Sequence, residues 1–249
     1  MIIRPSRREL IRYGMGAAAF AKMARGQVRI PGPGGGANSG GGGGGGWSLI
    51  AHTGAGTGVN ATTSAINTTG ANLIVIGVSA NTVPATFSDS KGNTWTVAGG
   101  YQNNSINGNY SVLYYCYNPA AGSGHIFSTT SGGYPSIFVE AWSGAAASPL
   151  DQTNGTQGNT SYTTFQPGSI TPTRNDELIV TMTSIAVTNG NAASSINDGF
   201  TISDSLAFSS GNYWGGAMAY LVQTTAAAVD PAWTYNGSVF AVANIASFK

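Results

Sequence analysis

The chain has 249 residues, 41% hydrophobic and only 8% charged, with 37 glycines, one cysteine and a formal net charge of +1. So little charge excludes a coiled coil or a long charged helix, and the apolar and aromatic content excludes extensive disorder. A single cysteine excludes an intrachain disulfide and a cysteine-rich zinc centre.

The near-neutral total combines two oppositely charged parts. Residues 1–29 hold seven basic residues (Arg4, Arg7, Arg8, Arg12, Lys22, Arg25 and Arg29) against Glu9, a net +6, whereas the rest holds three basic residues against eight acids, a net −5. Such asymmetry marks a tail or a targeting segment. Residues 1–30 read as a basic signal-like or N-terminal segment. Within them Ser6-Arg7-Arg8-Glu9-Leu10-Ile11-Arg12 is similar to the twin-arginine signal of bacterial secretion, with Leu10 where that pattern most often has phenylalanine. The apolar stretch behind it, Tyr13 to Ala21, is far shorter than the ~20 residues a spanning helix needs, so no transmembrane segment is expected. Ala19-Phe20-Ala21, or else Met23-Ala24, offers small residues for a signal peptidase. The alternative is a basic amphipathic helix lying on a partner or a membrane surface.

Residues 31–46 (PGPGGGANSGGGGGGG) read as a flexible linker, because glycine loses the most backbone entropy on ordering and nothing here can be buried in return. A phosphate-binding loop would need a following Lys-Ser/Thr and a helix, and the tract runs directly into Trp47.

Residues 47–249 read as a single all-β domain. Strands are expected at Leu73–Ser79, Thr94–Val97, Ser111–Tyr117, Ser136–Trp142, Glu177–Val187, Trp214–Val222 and Val239–Phe248, where β-branched and aromatic residues run between Asn-, Ser-, Thr- and Gly-rich segments. The turn Asp89-Ser-Lys-Gly-Asn93 suits a hairpin. No window has a capped helical period. Leu73-Ile74-Val75 matches Leu178-Ile179-Val180, and Trp95-Thr96-Val97 matches Phe200-Thr201-Ile202, both at an offset of 105, as do Tyr115 and Tyr220. With a one-residue gap, Phe127 pairs with Trp233. The expected fold is a jelly-roll-like β-sandwich built from two pseudo-repeated halves, about 71–165 and 176–249. The apolar first strand of each half should be covered on both faces.

Several motifs carry a family resemblance. They are Phe87-Ser-Asp-Ser-Lys-Gly-Asn-Thr-Trp95, Tyr114-Tyr115 with the Ala120-Ala-Gly turn, Ala141-Trp-Ser-Gly144 leading to Ser148-Pro-Leu-Asp-Gln-Thr153, and Ala246-Ser-Phe-Lys249. With these, the body resembles jelly-roll-like modules of secreted bacterial and phage-encoded proteins. The resemblance implies a non-catalytic extracellular module.

Residues for chemistry are sparse. His52 and His125 have no neighbouring metal-ligand pattern and read as strand-end histidines bonded to the backbone. Glu140 is the most interesting acid: it shares a strand face with Trp142, and it either faces solvent or pairs with Arg174 or a neighbour. Aligned with Asn244 in the other half, it reads as structural, and no catalytic residue is assigned. Calcium is the one cofactor left open, with Asp89, Asp198 and Asp204 in turn-like segments as weak ligands, although Asp89 and Asp198 more simply cap turns. Cys116 reads as a buried thiol. Tyr101, Tyr110, Tyr134, Tyr162, Tyr213 and Trp214 lie in or beside amide- and glycine-rich loops, which suits rings that stack on sugars beside amides that reach hydroxyls.

The expected function is an exported, non-catalytic module that binds a glycan or another cell-envelope component, secreted or displayed on a bacterial surface. One alternative is a virion structural, decoration or tail-fibre-associated protein, docked to a virion or surface scaffold through the Gly-rich tail. A second is a secreted hydrolase. The acidic body disfavours nucleic acid as a partner.

Overall fold

The computed structural model describes residues 46–82, 86–103, 108–130 and 133–249. The basic segment, its peptidase sites and all but the last residue of the Gly-rich linker lie outside the described residues. The first eight strands are β1 (Ser48–Gly56), β2 (Asn60–Thr62), β3 (Leu73–Ala80), β4 (Thr86–Asp89), β5 (Thr96–Asn103), β6 (Asn109–Tyr117), β7 (Phe127–Thr130) and β8 (Ser136–Ser143). Seven follow: β9 (Leu150–Gln157), β10 (Tyr162–Phe165), β11 (Glu177–Ala186), β12 (Ala193–Ile196), β13 (Thr201–Leu206), β14 (Gly215–Gln223) and β15 (Trp233–Phe248). No helix occurs among the described residues, and so none long and apolar enough to cross a membrane.

The described residues form an all-β sandwich of antiparallel sheets. One large sheet has the order β1-β8-β3-β6-β5. The facing sheet has β15, β11, β14 and β13 in that order, with β9 on the other side of β15. Between them lies an apolar core in which Leu73, Val75, Leu113, Phe138 and Trp142 of the first sheet meet Leu178, Val180, Met182, Met218 and Phe248 of the second.

Each large sheet is also covered on its outer face. The small sheet β2-β7-β4 packs Ala61, Phe127 and Phe87 onto Ile74, Ile76, Val78, Ile137 and Val139. Beyond the second sheet, the first part of β15 pairs with β10 and β12, and places Trp233 and Tyr235 over Ile179, Ile185 and Ala243. This explains why every residue of β3 and of β11 is buried. A strand alternates its side chains between faces, so an unbroken apolar run such as LIVIGV is stable only where both faces are covered.

The order of strands is the same in the two successive stretches Ser48–Ser143 and Leu150–Phe248. β9, β10 and the two parts of β15 stand in the second as β1, β2, β7 and β8 stand in the first. These stretches begin earlier than the sequence matches suggest, because β1, β2, β9 and β10 are too polar and glycine-rich to stand out.

The Asp89–Asn93 turn does not close a hairpin. Gly92 adopts φ 74°, as such a turn requires, but β4 pairs with β7 in the small sheet while β5 pairs with β6 in the large one. The turn therefore carries the chain from one layer to another.

Candidate functional site

The edge strands β1 and β13 belong to opposite sheets and run beside each other, forming a seam along one side of the sandwich. Two groups of functional side chains lie on this seam.

The first is aromatic. Trp214 precedes β14 and lines a cleft of about 450 Å³ with Val187, Thr188, Asn189, Phe208 and Ser210. Its ring meets Phe208 edge-on at 5.3 Å and lies nearly parallel to Tyr134 at 6.4 Å. The Trp214 amide donates to the Tyr134 carbonyl at 2.8 Å, and Ser136 Oγ donates to the Trp214 carbonyl at 2.5 Å, so a backbone bond and a side-chain bond fix the pair to the start of β8. Tyr213 packs on the end of β1: a Cβ at Gly56 would lie 2.8 Å from its ring, so only glycine admits this approach.

This end of the sandwich carries two costs. Trp214 Nε1 is buried without a hydrogen-bond partner, a deficit of about 1–3 kcal/mol. Val187 and Thr188, consecutive and both β-branched, adopt φ 68° and 70°. The left-handed region costs a residue with a Cβ about 1–2 kcal/mol, and such strain concentrates at ligand sites.

The six aromatic candidates divide. Trp214 lines the cleft, Tyr134 stacks on it, and Tyr213 packs beside them on Gly56. Tyr162 packs edge-on against Phe165 on the outer core of the second sheet, and Tyr110 packs on the outer core of the first, where burial raises its hydroxyl pKa. Tyr101 pairs with Ser111 in β5, and its side chain lies outside the described part of the structure.

The second group is ionisable. His52 Nδ1 and Asp204 Oδ2 are 2.9 Å apart, with the two side chains 45% and 22% exposed. His52 pairs with Glu140 in the β1–β8 register. Glu140 points between the large sheets with Phe138 and Trp142, and it is fully buried. It accepts bonds from Ser203 Oγ at 2.6 Å and Trp142 Nε1 at 3.1 Å. Burial is the leading cause that pushes its carboxyl up to about 7; Ser203, Trp142 and His52 pull it down, and Asp204 adds repulsion. Burial also raises Asp204, against the pull of His52.

These contacts correct three expectations. Glu140 neither faces solvent nor pairs with Arg174. The β3–β8 register sets Glu140 against Val75, and the β11–β15 register sets Ala246 against Val180, so the residue that corresponds to Glu140 is Ala246 and not Asn244. The histidine rings bond to side chains instead of the backbone: His52 to Asp204, and the buried His125 to Thr68 Oγ1 at 3.0 Å and Asp89 Oδ1 at 2.9 Å.

Two of the three acids considered for calcium are engaged by other side chains. Asp89 accepts from His125, the Lys91 and Asn93 amides, Asn93 Nδ2 and Trp95 Nε1. Burial alone would raise its carboxyl, but these donors outweigh it and hold the pKa below the usual value. Asp198 is exposed in a turn at φ 57°, and Asp204 faces His52. Among the described residues no three His, Cys, Asp or Glu side chains are placed to hold a metal ion. Cys116 is buried, and burial raises its thiol pKa.

Comparison of the chain with protein-family models, with curated proteins and with solved structures finds no match.

Proposed function

We propose that this protein is an exported, non-catalytic β-sandwich module that binds a surface glycan in the Trp214 cleft. The observation that carries this reading is that Trp214, held between Tyr134 and Phe208, lines one cleft with Thr188, Asn189 and Ser210. Flat rings complement the apolar faces of sugars, and amides and hydroxyls serve their hydroxyl groups. Export is supported by the Arg7-Arg8 signal pattern and by the low charge of the body, 11 charged residues in 203.

We also infer that the two stretches descend from a duplicated unit. The support is the common strand order and a bulge at the same place in each: between Val97 and Gly99 in β5, and between Ile202 and Asp204 in β13.

The test is calorimetric titration with chito-, cello- and xylo-oligosaccharides and peptidoglycan fragments. Binding of at least one is expected. Trp214→Ala should weaken it by about thirtyfold or more, the loss typical of a central aromatic anchor. Tyr162→Ala, on the far side of the second sheet, should leave it unchanged. Equal losses in both variants, or no binding to any probe, would refute the reading.

A further inference from the structure

We propose that the β1–β13 seam extends the glycan site, and that the His52–Asp204 pair forms a second subsite for the sugar units that run beyond the Trp214 cleft. This rests on the glycan-binding reading above.

Position is the first argument. His52 and Gly56 are four residues apart on β1, which at ~3.3 Å per residue is about 13 Å. At one end of that path Tyr213 packs on Gly56, and at the other Asp204 faces His52. Between them, a Cβ at Gly54 would lie 3.2 Å from Asp204 Cβ. The seam thus leads from the aromatic end to the His52–Asp204 pair without crossing another strand.

Chemistry is the second. The Asp204 carboxylate can only accept, so His52 donates from Nδ1 and its tautomer is set. In the neutral ring Nε2 is then an acceptor, on a side chain that is 45% exposed. Together with the Asp204 oxygens it offers acceptors to neighbouring hydroxyl donors, the pattern a sugar ring presents.

The third argument is asymmetry. The opposite seam, where β5 packs beside β9, has the same bulge and register but none of these groups. Ala98 stands there for Ser203, Gly99 for Asp204 and Ala246 for Glu140. Thr153 pairs with Ala246 as His52 pairs with Glu140. Small residues are therefore enough to close a seam of this fold. On the β1–β13 side a buried carboxyl, costly to desolvate, instead holds the bulge: Ser203 Oγ reaches both Glu140 Oε1 at 2.6 Å and the Met218 carbonyl at 3.1 Å. That bulge sets the direction of Asp204, the next residue. Glu140 and Ser203 are positioning residues, and His52 and Asp204 touch the ligand.

The experiment is titration of the full-length protein with one glycan as a ladder from disaccharide to hexasaccharide. For the wild type, affinity is expected to rise by roughly tenfold or more along the ladder, about 1.4 kcal/mol. His52→Ala should abolish that rise while the disaccharide still binds, and Asp204→Asn should reduce it. Trp214→Ala should weaken every length. An unchanged length dependence in His52→Ala overturns the second subsite and leaves the cleft standing. An equal loss at all lengths in His52→Ala also overturns it, because the residue would then act on the cleft itself. New reducing ends would overturn the assignment of the pair to binding, since they would make the seam a hydrolytic centre. No binding at any length refutes the glycan reading and the subsite together.

Discussion

Asp89→Ala is expected to destabilise the protein by about 3–5 kcal/mol, the loss found when one member of a buried ionic network is removed. The Asp89 side chain is fully shielded from solvent and accepts five hydrogen bonds, all between 2.8 and 3.0 Å. It closes the turn that passes the chain from β4 to β5, and it anchors Trp95 and His125 under the small sheet. Without the carboxylate, buried donors on Trp95, His125 and the Lys91 and Asn93 amides lose their acceptor, and each unmade bond carries a desolvation penalty. Because these bonds hold the Asp89 pKa down, their contribution is present at neutral pH and is lost as pH falls through the acidic range. Urea denaturation at neutral pH is the direct measurement. Asp89→Asn, which keeps the shape but turns one acceptor into a donor, should fall between wild type and alanine. A loss below about 1 kcal/mol in Asp89→Ala would show that the network is not holding the turn.

Glu140 should act in the opposite direction with pH. Its carboxyl rises from 4.5 in the unfolded chain to about 7 in the folded one. At ~1.36 kcal/mol per pKa unit this amounts to about 3 kcal/mol. The unfolded chain releases the proton first, so the stabilisation is complete below the unfolded value and is lost as pH rises through about 4.5 to 7. Glu140→Gln removes this titration while retaining the volume. The stability difference between variant and wild type should therefore move by about 3 kcal/mol in favour of glutamine from roughly pH 4 to pH 8. Comparison of the two proteins cancels the other titrating groups to first order. A difference that does not change with pH would mean that the buried carboxyl is as well solvated in the folded state as in the unfolded chain.

What could be read from the sequence is what depends on burial. LIVIGV and LIVTM announce strands covered on both faces, because such runs have no stable exposed arrangement. β1 and β9 signal themselves weakly, because SLIAHTGAG and LDQTNGTQ mix small, polar and apolar residues at half-buried sheet edges, where the pattern that defines a strand is faint. The short strands of the outer sheets have only three or four residues to show a pattern at all. The Asp89 turn was visible as a turn, but its destination was not, since a turn type does not specify which sheet receives the next strand.

The site divides along the same line. Rings in amide-rich loops can be recognised as a class, and of the six candidates Trp214 lines the cleft with Tyr134 stacked on it. Their separation from Tyr110 and Tyr162 depends on which face of which sheet each strand presents, a tertiary property. His52 and Asp204 are 152 residues apart, and no local spacing signals their contact. Glu140 stands out in the sequence beside Trp142, but its burial and its bond from Ser203 depend on the facing sheet, which no local pattern specifies. The left-handed backbone at Val187 and Thr188 had no sequence signal, since β-branched residues are the ones least expected there.

The central claim is that the Trp214 cleft receives the ligand, and the five tryptophans offer a direct reading of it. In a ¹⁵N-labelled sample each indole N–H gives its own resonance, assignable by Trp→Phe replacement. On titration with a binding oligosaccharide, the Trp214 indole should show the largest shift, while the deeply buried Trp142 and Trp233 remain nearly still. A ligand that saturates the protein while leaving the Trp214 resonance in place would contradict the account.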